Sequence, residues 1–120
     1  MTEDIGLEIN IEASTAVVAF KSPSISDADG ITNASNRIKE FIDKNQPKKL
    51  IIDFKGVKFF SSQVLGLLLD IRAKLERYEG EVVISAINPQ LHRVFKITNL
   101  DKVFKFFPDK ESAKKITSTD

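Results

Sequence analysis

The sequence predicts an α/β fold: one small, mixed, mostly parallel β-sheet with helices packed on it. Three observations carry this. Residues 5–11 alternate apolar and polar, the period of a strand with one buried face. Residues 49–54 and 82–87 are apolar runs of the kind found in strands covered on both faces. Between the runs lie stretches with apolar residues at helical spacing, and strands separated by helices pair in parallel through right-handed crossovers. The 120 residues allow one domain, 1–120, with a folded core of about 5–117.

Ile5, Leu7, Ile9 and Ile11 form the apolar side of the first strand, and Glu8, Asn10 and Glu12 its polar side. Ala13-Ser14-Thr15 turns the chain into a second strand, Ala16 to Phe20, giving an antiparallel hairpin with the first strand at the sheet edge. Lys21-Ser22-Pro23-Ser24 reads as a loop. Ser26 or Asp27 then caps a helix whose apolar positions are Ile31, Ala34, Ile38, Phe41 and Ile42, ended by Asn45-Gln46-Pro47. Lys49 to Phe54 is the third strand. Gly56 turns the chain, and Val57, Phe59 and Phe60 return it to the core. Ser61-Ser62 opens a long helix with Val64, Leu65, Leu67, Leu68, Leu69, Ile71 and Leu75 as its apolar stripe and Gly80 as its C-terminal cap. Val82 to Ile87 is the fourth strand. Asn88-Pro89 starts a short helix with Leu91, Val94, Phe95 and Ile97 facing inward. Val103 to Phe107 is the last strand, and Pro108-Asp109 opens a terminal helix, Lys110 to Ile116.

Composition excludes several classes of function. Eighteen Lys+Arg against 17 Asp+Glu leave a net charge of +1, which is no electrostatic footprint for nucleic acid. The chain has no cysteine, so disulfides, thiolate nucleophiles and zinc ribbons are absent, in keeping with a reducing cytoplasm. The N-terminal residues are acidic where a signal peptide is basic, and no apolar run approaches the ~20 residues that span a bilayer. His92 is the only histidine and reads as a solvated position on a short helix, so neither a catalytic residue nor a metal site is expected. The 5 glycines are not spaced as a phosphate-cradling loop, and no cofactor is implied. Phe104-Lys105-Phe106 faintly echoes a stacking surface for single strands, but its rings read as core. The Ile-rich first strand and Phe-rich last strand are candidate edges for weak homodimerisation.

One junction combines chemistry with geometry. Residues 57–69 run strand, turn, helix and place the hydroxyls of Ser61 and Ser62 at the first turn of the helix. Free amides and the helix dipole favour an anion there, and a phosphate would add roughly −1.5 to −2 charge. The alternative for Ser62 is an ordinary N-cap.

This junction resembles that of STAS domains of bacterial anti-sigma factor antagonists. In that family a strand ending in an apolar pair leads into Asp-Ser-Ser-Gly-Leu-Gly. Phe59-Phe60 matches the pair, Ser62 the first serine, which is the phosphoacceptor in phosphorylatable members, and Leu65-Gly66 the Leu-Gly. Asp53, the stretch Gly80 to Ile84, Ile87 to Phe95, and Asn99 to Phe104 resemble further family segments, in order along nearly the whole chain. There are departures. Ser61 stands for the family's acid, Gln63 for its second serine and Val64 for its glycine. Pro23-Ser24-Ile25-Ser26 stands for a Gly-x-Leu-Asp loop.

The resemblance implies a regulatory binding module rather than an enzyme. Such an antagonist binds a serine kinase that is also an anti-sigma factor. Phosphorylation, here at Ser62 with Ser61 second to it, ends the complex, and a serine phosphatase resets it. The implied partner surface is Ser24, Ser26, Ser61, Ser62, Gln63 and Leu65. The altered motif keeps open a non-switching STAS scaffold or accessory subunit of a stress-signalling assembly, transporter or lipid-trafficking complex. A small-ligand carrier or sensor is a third reading.

Overall fold

The computed structural model describes residues 6–12 and 15–115. Ile5, Ala13, Ser14, Ile116 and both limits of the expected core lie outside them. In chain order the elements are β1 Leu7–Glu12, β2 Thr15–Phe20, β3 Ser24–Ile25, α1 Ala28–Asn45, β4 Lys49–Asp53, β5 Phe59–Phe60, α2 Gln63–Glu76, β6 Glu81–Ser85, α3 Pro89–Ile97, a 3-10 turn Leu100–Lys102, β7 Lys105–Phe107 and α4 Lys110–Lys115. The main sheet has the order β1-β2-β4-β6-β7, with β1 antiparallel to β2 and the other pairs parallel.

Each parallel connection moves one strand further in the same direction. Right-handed crossovers that all step one way place their helices on the same face. The packing obeys this. Val18, Leu50, Ile52, Val82 and Ile84 share one cluster with Ile31, Ile38 and Ile42 of α1, Val64, Leu68, Ile71 and Leu75 of α2, and Leu91 and Phe95 of α3. Each fully buried Leu, Ile or Phe contributes about 1.5–3 kcal/mol, so this front face holds most of the burial energy. Rings of Phe20, Phe54, Phe60, Phe95 and Phe104 follow one another through it with centroids 5.5–6.0 Å apart.

The back face is thinner. Among the described residues, Val17, Ile51 and Val83 pack with Ala113 of α4 and the Phe107 ring. The buried Lys49 ammonium donates to the Ala113 carbonyl, and Lys114 pairs with Glu12 across to β1. Glu12 is held below the usual carboxylate range, first by its hydrogen bond from Lys114.

Several details differ from the sequence reading. Phe59 is 53% exposed and Ile97 73%, because each faces away from the sheet while Phe60 and Phe95 take the inward positions. Leu69 is likewise on the outside of α2. The last strand is shorter than expected because residues 100–102 close a 3-10 turn entered through Asn99 at φ 65°. The left-handed residue after α2 is Glu79 at φ 67°, not Gly80. Gly80 is needed for space instead: a Cβ there would sit 2.9 Å from the Tyr78 ring and 3.1 Å from the Pro47 carbonyl oxygen. His92 is half-buried, with its ring 4.3 Å from that of Phe106, rather than solvated.

Candidate functional site

The inter-helix ion pairs Lys39–Asp70 (3.4 Å) and Asp43–Lys74 (2.8 Å) share one sequence offset, so α1 and α2 run side by side in the same direction. Their N-termini therefore open at one rim, at the C-terminal ends of the parallel strands, where open α/β sheets present their sites. Asn88 ties α3 to this rim. Its amide donates to the Val57 carbonyl (3.1 Å), and its Oδ1 accepts from the Leu91 N–H (2.8 Å).

A two-stranded parallel sheet organises the rim. β3 pairs with β5, setting Ser24 beside Phe59 and Ile25 beside Phe60. The Pro23 carbonyl accepts from the N–H groups of Lys58 (2.8 Å) and Phe59 (3.2 Å), and the Ile25 carbonyl from that of Ser61 (3.0 Å). The loop before α1 is thus bonded to the residues that open α2. Ser24, Ser26, Ser61, Ser62 and Gln63 gather there, 37 residues apart in chain between Ser24 and Ser61 (61 minus 24). Within the loop, the Ser22 hydroxyl donates to the Ser24 carbonyl at 2.8 Å, and the Ser24 and Ser26 hydroxyls lie 3.5 Å apart.

The two helix starts differ. Asp27 caps α1, its carboxylate accepting from the Gly30 N–H at 2.7 Å, and Asp29 adds a second acid. Ser62 holds the corresponding place on α2, but with helical backbone (φ −61°, ψ −19°) and no capping bond from its side chain. The first turn of α2 has no acid, so its positive end is uncompensated. The Ser62 side chain is exposed and makes no capping bond to α2. Ser61 is half-buried, and its hydroxyl oxygen is enclosed without a hydrogen-bond partner.

Leu65 departs from the expected surface. It is 8% exposed and packs in the front core, because the turn of α2 that faces Ser62 and Gly66 outward directs Leu65 and Leu68 toward the sheet. Asp53 lies on the back face, buried, and accepts from the Ser85 hydroxyl at 2.9 Å. The sequence reading also missed a groove of about 310 Å³ between α1 and α2, lined by Thr32, Ser35, Asn36, Lys39, Gln63 and Gly66 among others. The signal for it was the polar i, i+3, i+4, i+7 stripe at 32, 35, 36 and 39. Among the described residues no group of three or more His, Asp or Glu side chains is placed to hold a metal ion, and no helix is long and apolar enough to cross a membrane.

A one-way βα sheet with a serine-bearing helix start at its rim is the architecture of a STAS domain. The STAS family model matches residues 8–113, and the chain belongs to that family. Its relatives include the anti-sigma F factor antagonist of Paenibacillus polymyxa, 21% identical over 109 residues that cover 91% of this chain and 93% of that one. A STAS domain protein from Planctomyces limnophilus superposes with a TM-score of 0.81 at 22% identity, covering 89% of this chain and 93% of the other. The Bacillus cell-fate determinant SpoIIAA, solved in its phosphorylated form, superposes with a TM-score of 0.71 at 18% identity, covering 92% and 99%.

Proposed function

We propose that this STAS domain, acting as one unit over residues 1–120, is a cytoplasmic anti-sigma factor antagonist. It docks through the rim formed by Ser24, Ser26, Ser61, Ser62 and Gln63 on an anti-sigma factor that is also a serine kinase. The observation that carries this reading is Ser62: an exposed hydroxyl at the start of a 14-residue helix, free of any capping duty. The names of the relatives support the same role.

In the transfer, the Ser62 oxygen forms a bond to the γ-phosphorus of ATP while the β,γ P–O bond breaks. The hydroxyl proton passes to a base on the kinase, and ADP leaves. A serine phosphatase reverses the modification with water. The phosphoryl group costs the fold little, because no internal bond is lost. It disrupts the interface, where added charge without a matching cation brings desolvation and repulsion.

The test is titration calorimetry with the kinase anti-sigma factor that the wild-type chain captures. Ser62→Ala should bind like wild type. Ser62→Glu should bind at least about tenfold more weakly, a difference of ~1.4 kcal/mol. Phosphate found at Ser61 and not at Ser62 would move the switch by one residue. Equal affinity of all forms would remove the switch and favour a constitutive scaffold.

A further inference from the structure

The two edges of the main sheet are guarded very differently. β7 has three residues and is followed at once by Pro108, and shortness and proline are both ways of blunting an edge. β1 has six residues, Leu-Glu-Ile-Asn-Ile-Glu, with no proline and no lysine. Among the described residues no strand pairs with its outer side.

The hydrogen-bond phase of the hairpin fixes what that outer side presents. The Lys21 N–H donates to the Gly6 carbonyl at 3.0 Å, in line with the register that sets Leu7 against Phe20. In an antiparallel ladder bonded and non-bonded pairs alternate. Gly6, Glu8, Asn10 and Glu12 therefore bond inward to β2, and the N–H and C=O groups of Leu7, Ile9 and Ile11 point outward. The apolar side of β1 is also incompletely covered: Leu7 is buried, Ile9 is half-buried and Ile11 is 54% exposed. The edge thus offers backbone groups and apolar side chains along the same three residues.

We propose that β1 pairs antiparallel with β1 of a second copy of this chain about a two-fold axis through Ile9. Charge selects that register. With the axis at Ile9, Leu7 lies opposite Ile11 of the second copy, and Glu8 opposite Asn10. Moving the axis to Glu8 sets that carboxylate against itself. Moving it to Asn10 sets Glu8 against Glu12 twice. Like charges directly opposite are destabilising. The Ile9 register also gives about six new backbone hydrogen bonds and joins the apolar rows on the front face of both sheets. The contact is small, so the dimer is weak, with a Kd on the order of 10–1000 µM. This inference is independent of the antagonist reading, since it needs only the chain itself.

The chain has no cysteine, which allows a clean test. In the proposed register Ile9 faces its own copy at about the 5.5 Å Cα separation of a bonded pair, within disulfide range. Under mild oxidation Ile9→Cys should form a disulfide dimer, and Ile11→Cys should not. Sedimentation of two exposed-site variants gives a second readout. Asn10→Lys, facing Glu8, should tighten the dimer, and Asn10→Glu should weaken it, each by roughly two- to thirtyfold over the two symmetric pairs. A chain that stays monomeric up to about 2 mM would overturn the proposal. So would disulfides forming as readily from Ile11→Cys, or Asn10 variants indistinguishable from wild type.

Discussion

The two faces of the sheet are built from strands of the same composition yet stabilised in different ways. On the front, α1, α2 and α3 enclose a continuous apolar core with a run of phenylalanine rings. On the back, α4 contributes one fully buried residue, Ala113, and is held to the sheet by two polar ties, Lys49 to the Ala113 carbonyl and Lys114 to Glu12, while the Asp109 carboxylate caps its own first turn by accepting from the Ser112 N–H at 2.7 Å. Six residues are too few to make a helix stable alone. One face therefore depends on a thick apolar core, and the other on a small apolar cluster around Val17, Ile51 and Val83 supplemented by a few directional bonds. The difference follows from one-way winding, which spends every crossover helix on a single face.

The largest expected effect breaks the front. Phe54 is fully buried, with its ring 5.7 Å from Phe20 and 5.5 Å from Phe60. Phe54→Ala should cost about 3–5 kcal/mol in denaturant unfolding. A cost no greater than that of a back-face change would erase the contrast. Next, Lys49→Met keeps much of the buried stem and deletes the tie to α4. It should cost about 1.5–3 kcal/mol, with faster amide exchange in α4 than in β4. Equal acceleration in both would show that α4 and the sheet open together.

The smallest effect is the dependence on pH. Glu12 is held low by Lys114, and Asp109 by the Ser112 N–H. Their contributions are complete above the ordinary carboxylate range, about pH 4, and disappear as pH falls through the lowered values. Lys114 is raised by Glu12, so its contribution holds below the ordinary lysine range and is lost as pH rises through the raised value. An NMR titration downward from neutral pH should show the Glu12 and Asp109 carboxyl resonances, and the α4 amides with them, changing only below the ordinary carboxylate range of about pH 4. Midpoints within that ordinary range would show that neither contact stabilises the fold.

The main sheet was legible because its signals repeat: alternation in β1, apolar runs in β4 and β6, and helical spacing in α1. β3 was not, since two residues carry no period, and β5 was read as the strand end before α2 but without its pairing to β3. That small sheet is nevertheless what bonds the Ser24 loop to Ser61, so the site's serines were grouped by family resemblance and not by any pattern in the chain. The direction of α2 was also hidden. Val64, Leu65, Leu67, Leu68, Leu69 and Ile71 are apolar almost all round, so only the packed structure separates buried Leu65 from exposed Leu69. His92 was misjudged because its contact, Phe106, arrives from a later strand.

The strand order has a consequence for how the chain is made. After the opening hairpin, β4 is laid beside β2, β6 beside β4 and β7 beside β6, each on the growing side of the sheet. No strand must be threaded between two already in place. A chain leaving the ribosome N-terminus first can add each βα unit to a finished edge as it emerges, and the late segments never have to displace the early ones.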